Sequence, residues 1–297
     1  MIMTEKKKCQ YEKDREFTSP FDCGFSKNEM SLNEMRALTA GLTEEEKSSP
    51  YAAIFYERPD EKTAEQKAAY AAPLEEARMY MPAESGRIMI EQIEGYPDMG
   101  YGVMENGVGY AAIRVDQTDV NDDMIREYRE YYAHDEKNRD IFYKTWYPGM
   151  HVRHFDDAVI ENFGYGAMLL DMDRELYGLK HAGITKEYID EKDPGALNFL
   201  LIGGGGFMLW APQIQQQSLM IQYTREHEKG RTLQIRFWIG IKPGEDGACI
   251  PVPAGTKEEI EIKMRCQFNH CVTEYARELK HMKEFWNKNH PDLKVEI

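Results

Sequence analysis

Residues 267–286 read QFNHCVTEYARELKHMKEFW. Phe268, Val272, Tyr275, Ala276, Leu279, Met282 and Phe285 recur at three- and four-residue spacing, the pattern of a helix with one apolar face. Upstream, Thr256 with Glu259 forms a capping box, so the helix is long and closes the chain. Within it His270 and Glu274 lie four residues apart, close to one turn, and share a face. An imidazole and a carboxylate so placed can grip a metal ion; as an ordinary surface pair they would only share a hydrogen bond. Cys271 points about 100° away and reads as structural, whereas His281 returns to nearly the same face as His270 and is a reserve ligand.

The segments before this helix read as strands. SLMIQYT (218–224) and TLQIRFWIGI (232–241) are β-rich and joined by EHEKGR, which predicts an antiparallel pair, and LNFLLI with its heart at 198–202 precedes them. YGVM, Glu105-Asn106-Gly107 and VGYAAIRV form a hairpin pattern, because Asn-Gly takes the positive φ angles of a tight turn. A helix is predicted from about Val120 to His134. Hairpins followed by one long terminal helix indicate an α+β fold with an antiparallel sheet. The texture changes at Ile88. Residues 1–87 read as a partly helical arm, with helix starts at Ser31/Glu34, Thr43/Glu46 and Thr63/Gln66, and residues 88–297 as the metal-binding domain. Gly203–Gly206 lacks the spacing of a phosphate loop and reads as a turn or bulge.

Composition narrows the partners. The 297 residues are 42% hydrophobic and 11% aromatic, enough for a sizeable core, and carry a formal charge of −15. That charge argues against nucleic acid or an anionic membrane as the main partner. No segment approaches the roughly 18 apolar residues of a membrane span, so the expectation is a cytoplasmic protein. Five cysteines without CxxC spacing suit reduced thiols better than disulfides or a thiolate zinc site.

A second cluster lies mid-chain: Tyr143, Trp146, Pro148 and His151, then His154. With GYGVMENGVGYAAIRV (100–115), Tyr177-Gly178 leading to Glu187, Arg236–Gly240, and His270 with Glu274, it resembles the phloretin hydrolase and 2,4-diacetylphloroglucinol hydrolase family over about 88–288. The resemblance implies a Bet v 1-like helix-grip fold and a zinc-dependent hydrolase that cuts an acyl group from a polyhydroxylated aromatic ring. It implies zinc ligands at His151, Glu187, His270 and Glu274, with Glu175 an alternative to Glu187 because the local spacing is longer than in the family. Tyr143 and His154 would face the substrate, a small aromatic ketone; Arg236 could point to the cavity or to water. Where the family carries an active-site histidine, this chain has Gln222, which can hydrogen-bond but cannot transfer a proton near neutral pH. Phe237 stands where a tyrosine is expected. These departures put phloretin itself in doubt as the substrate. The rival expectation is a non-catalytic helix-grip protein that binds a small hydrophobic ligand; in either case a homo-oligomer is expected.

Overall fold

The architecture follows from strands that are apolar on both faces. A computed structural model describes residues 42–297 apart from 58–59, 134, 136–137, 149–150, 155–157, 162–163, 169–173, 209–210, 245 and 253. The predicted hairpin is β1 (Gly100–Val103) and β2 (Gly109–Thr118), turned at Gly107 with φ +83°. Two helices come next, α4 (Asp122–Ala133) and α5 (Arg139–Trp146). Then come β3 (His151–His154), β4 (Ala158–Glu161) and β5 (Gly164–Met168). After α6 (Arg174–His181) and α7 (Lys186–Lys192), the long strands β6 (Ala196–Met208), β7 (Ala211–His227) and β8 (Gly230–Ile239) complete the sheet. A small pair, β9 (Ile241–Pro243) and β10 (Cys249–Pro251), leads to α8 (Lys257–Asn289). The main sheet runs β1-β2-β8-β7-β6-β5-β4-β3, antiparallel throughout.

One face of this sheet carries α8. Leu233, Ile235 and Ile239 alternate along β8 and pack with Ala111 and Ile113 against Ile260, Met264, Phe268 and Val272 of the helix. Each such side chain, fully buried, stabilises the fold by about 1.5–3 kcal/mol. The approach is close: a Cβ at Gly109 would meet Ile239, Ile260 and Met264 at 2.6–2.7 Å, so no larger residue fits. The opposite face carries α3 (Pro82–Glu91), α6 and α7, with Leu219, Ile221, Tyr223 and Trp238 in the sheet and Ile88, Leu179 and Ile189 above them. Arg236 belongs to that second face. It is buried and held by Asp98 at 2.8 Å and the Tyr80 hydroxyl at 2.6 Å, so it points neither to water nor toward α8.

The capping boxes at Thr43/Glu46, Thr63/Gln66 and Thr256/Glu259 all form; Ser31/Glu34 lies outside the described residues. Helix α3 runs across residue 88, where the sequence texture changes. Segment 42–57, with the short helix α1 (Ala52–Phe55), docks on α5: Leu42 and Tyr51 pack with Ile141 and Phe142, and Lys144 meets Glu46 at 2.7 Å. Gly203–Gly206 is no turn. It runs through β6, with register shifts between Leu201 and Gly203 and between Gly204 and Gly206, so the glycines mark bulges inside a strand.

Candidate metal centre

The site is built first from α5 and β3. Helical spacing puts Tyr143 one turn before Tyr147, and the amide of His151 donates to the Tyr147 carbonyl at 3.1 Å. The Tyr143 carbonyl lies 2.7 Å from Nδ1 of His151. A carbonyl can only accept, so Nδ1 carries the proton and Nε2 presents its lone pair. The Tyr143 ring lies flat on the imidazole, 3.8 Å between centroids and 5° between planes. Tyr147 does the same for His270 at 4.9 Å and 30°, and its hydroxyl accepts from Asn269 at 2.8 Å.

So clamped, the two imidazoles meet. Nε2 of His151 is 2.8 Å from Nε2 of His270; Glu274 places Oε2 3.2 Å from the latter and Oε1 3.8 Å from the former. All three ligand atoms lie within 4.8 Å of one another. Bond lengths near 2.0–2.1 Å put the ligand atoms of a tetrahedral ion about 3.3 Å apart, and the observed distances straddle that value. Two bare nitrogen lone pairs at 2.8 Å repel unless one nitrogen is protonated or a cation lies between them. Burial alone would raise the Glu274 carboxyl; the imidazoles of His151 and His270 beside it hold it below the ordinary range. The group can therefore hold a metal ion, and its residues fit one. The side chains of His151 and His270 are 0% and 2% exposed and that of Glu274 is 17% exposed, so solvent reaches the group from the carboxylate side.

The structure does not bring Glu187, the expected fourth ligand, to this group. Glu187 is exposed in the first turn of α7, where its own backbone N–H and the Thr185 hydroxyl draw its carboxyl down. Glu175, its alternative, pairs with Lys186 at 3.0 Å on the surface. Across the β3–β4 ladder the backbone partner of His151 is Glu161, which sequence reasoning passed over. His154 pairs with Val159 in the same ladder; its side chain lies outside the described residues, as does that of Tyr177, and His134 is not described. Gln222 sits in mid-β7, and its amide donates to the hydroxyl of Tyr275, the residue after Glu274, at 2.5 Å. Phe237 packs on the α8 face of the sheet. Among the described residues no helix is long and apolar enough to cross a membrane.

Fold and site together define an α+β protein with a buried two-histidine, one-carboxylate group beneath its terminal helix. Residues 83–199 match the family model of the DAPG hydrolase PhiG domain, which supports the resemblance to the DAPG hydrolase and phloretin hydrolase family over this segment. The match contains His151 and ends before α8, so His270 and Glu274 join the site through the fold. No curated protein matches the chain.

Proposed function

We propose that this protein is a metal-dependent hydrolase of acylphloroglucinol-like aromatic ketones, with His151, His270 and Glu274 holding zinc in a Bet v 1-like helix-grip fold. The observation that carries the reading is the convergence of three ligand atoms from β3 and α8, with His151 fixed by the Tyr143 carbonyl. An imidazole whose second nitrogen donates to a carbonyl is the usual form of a metal-ligating histidine. The helix-grip reading is supported by the order after β1: strand β2, helices α4 and α5, then β3 to β8, interrupted by α6 and α7, which lie in sequence from one edge of the sheet back to β2, and the long helix α8 across one face.

The reaction adds water across an aryl–acyl carbon–carbon bond, giving the arene with a new ring C–H and the carboxylic acid. When bound, the metal would polarise the acyl carbonyl or the adjacent phenol oxygen and ease deprotonation of water. The chain's own part is to position and to move protons. The Tyr143 and Tyr147 rings hold the imidazoles in register, and the Glu274 edge, the one part of the group that solvent reaches, is where a substrate would approach. Glu278, one turn beyond Glu274, has its carboxyl pushed up to about 7 by burial and by the neighbouring Glu274 charge, so it can hold or give a proton near neutrality. For the fourth ligand place, register with His151 makes Glu161 the carboxylate to test.

Loss of a proton-transferring side chain at Gln222 favours a second reading, a binding protein that uses the site without chemistry. Purified protein loaded with zinc and offered an acylphloroglucinol separates the two. Release of the free phloroglucinol and the acid, abolished by a chelator and restored by zinc, is the expected result; tight binding without release would establish the second reading.

A further inference from the structure

Gln222 stands between Leu200 of β6 and Ile235 of β8 in the ladder. Ile235 belongs to the apolar face under α8, where Met220 and Phe237 also pack. A carboxamide in such a place is unfavourable unless it is paired. It is paired with one group, the hydroxyl of Tyr275, which receives the amide N–H at 2.5 Å across the gap between sheet and helix. A phenol has one O–H to give and lone pairs to accept with. Gln222 engages the accepting side. Among the described residues Tyr275 makes no second hydrogen bond, and it is only half-buried. Its O–H is thus turned away from the amide, and Tyr275 adjoins Glu274 in the helix, near enough for the Glu274 charge to act on it.

We propose that Tyr275 is a substrate-contacting residue whose O–H is given to an oxygen of the aromatic ketone, and that Gln222 is the positioning residue that turns it there. This rests on the hydrolase reading above and names its specificity. The pair demands an acceptor oxygen on the ring at this point and demands no proton transfer, which is why an amide suffices at position 222. An analogue lacking that oxygen leaves the Tyr275 O–H without an acceptor and is rejected for that reason. The arrangement has a polarity that can be reversed. A carboxylate at 222 only accepts, so Gln222→Glu would draw the Tyr275 O–H onto itself and away from the substrate.

The test uses the zinc-loaded full chain with two substrates, an acylated trihydroxybenzene and the analogue lacking one hydroxyl beside the acyl group. Wild type should prefer the first. Tyr275→Phe, which removes one oxygen atom and little else, should lower kcat/KM for the trihydroxy substrate about tenfold and bring the ratio between the substrates towards one. Gln222→Glu should do the same with Tyr275 present and add nothing when combined with Tyr275→Phe. Zinc content, measured on every variant, should stay at the wild-type level. Tyr275→Phe that keeps both the rate and the preference overturns the proposal while leaving the hydrolase reading intact, as does Gln222→Glu acting with full effect in the double variant. Turnover of neither substrate by zinc-loaded wild type overturns the hydrolase reading, and the proposal with it.

Discussion

His270 and His281 lie eleven residues apart on nearly the same face of α8, both buried, and their surroundings make them opposites. His270 faces a second imidazole and a carboxylate, an arrangement that attracts a cation. His281 faces Arg277 and Lys280, and its Nε2 has no hydrogen-bond partner among the described residues, the nearest carboxylate oxygen being that of Glu57 at 3.9 Å. Burial first, and then the Arg277 charge, push its pKa down to about 4. The same Arg277 holds the carbonyls of Thr145, Ile54 and Glu57, which fastens residues 54–57 to the helix. One half of the helix face thus gathers a group that can hold a metal ion and the other clamps the arm. What separates them is Glu274 with His151 of β3 around the one and Arg277 with Lys280 around the other, since the helix offers the same histidine to both.

The sharpest way to break this comparison is to delete each histidine in turn. His270→Ala should weaken zinc binding by about 100-fold or more, because an incomplete donor set loses most of its affinity. His281→Ala should change it less than about threefold. Zinc titrations against a competing chelator decide the matter, and equal losses in the two variants would place His281 in the metal group.

Acid should then distinguish the halves. His281 has a folded pKa near 4 against an ordinary value of 6.5. Between those values the unfolded chain binds the extra proton and the folded chain does not, so this histidine's contribution is intact above about pH 6.5 and is lost as pH falls towards 4. The loss should amount to about 2–3 kcal/mol, and His281→Gln, which cannot charge, should be spared it. Urea midpoints for the two proteins at about pH 7, 5.5 and 4 check this; curves that stay parallel would mean that His281 is solvated or paired in the folded protein.

How much of this was legible in the sequence obeys the same division. His270 and Glu274 could be read directly, since their pairing depends only on helical period. The long strands β7 and β8, the Asn106-Gly107 hairpin and the capping of α8 could be read for the same local reasons. Strands β3, β4 and β5 could not: each has four or five residues, too few for alternation to stand out, and they exist because β6 offers an edge to β5, β5 to β4 and β4 to β3. His151 was identified through the family resemblance. What fixes its tautomer, the Tyr143 carbonyl, is a backbone atom and leaves no mark in the residue types. A sharper signal was available in the four-residue spacing of Tyr143, Tyr147 and His151, which puts a ring against each imidazole.

The smallest effect concerns the carboxylates, and it turns on strand register. Glu274 and Glu187 are both glutamates in helices, yet Glu274 is held between imidazoles and Glu187 is spent on the start of α7. Glu187→Gln should therefore leave zinc affinity unchanged within about twofold, since a neutral amide in an exposed first turn removes only a favourable charge at the helix start. Glu175→Gln should behave alike, costing the surface pair with Lys186, which is worth little. Glu161→Gln is the contrasting arm: if register with His151 supplies the fourth donor, zinc affinity should fall by about tenfold or more while Glu187→Gln stays silent. Chelator competition on the three variants ranks them. A loss at Glu187 with none at Glu161 would require α7 to reach the metal group when zinc is bound, and would return the fourth ligand to the position that the family motif implies.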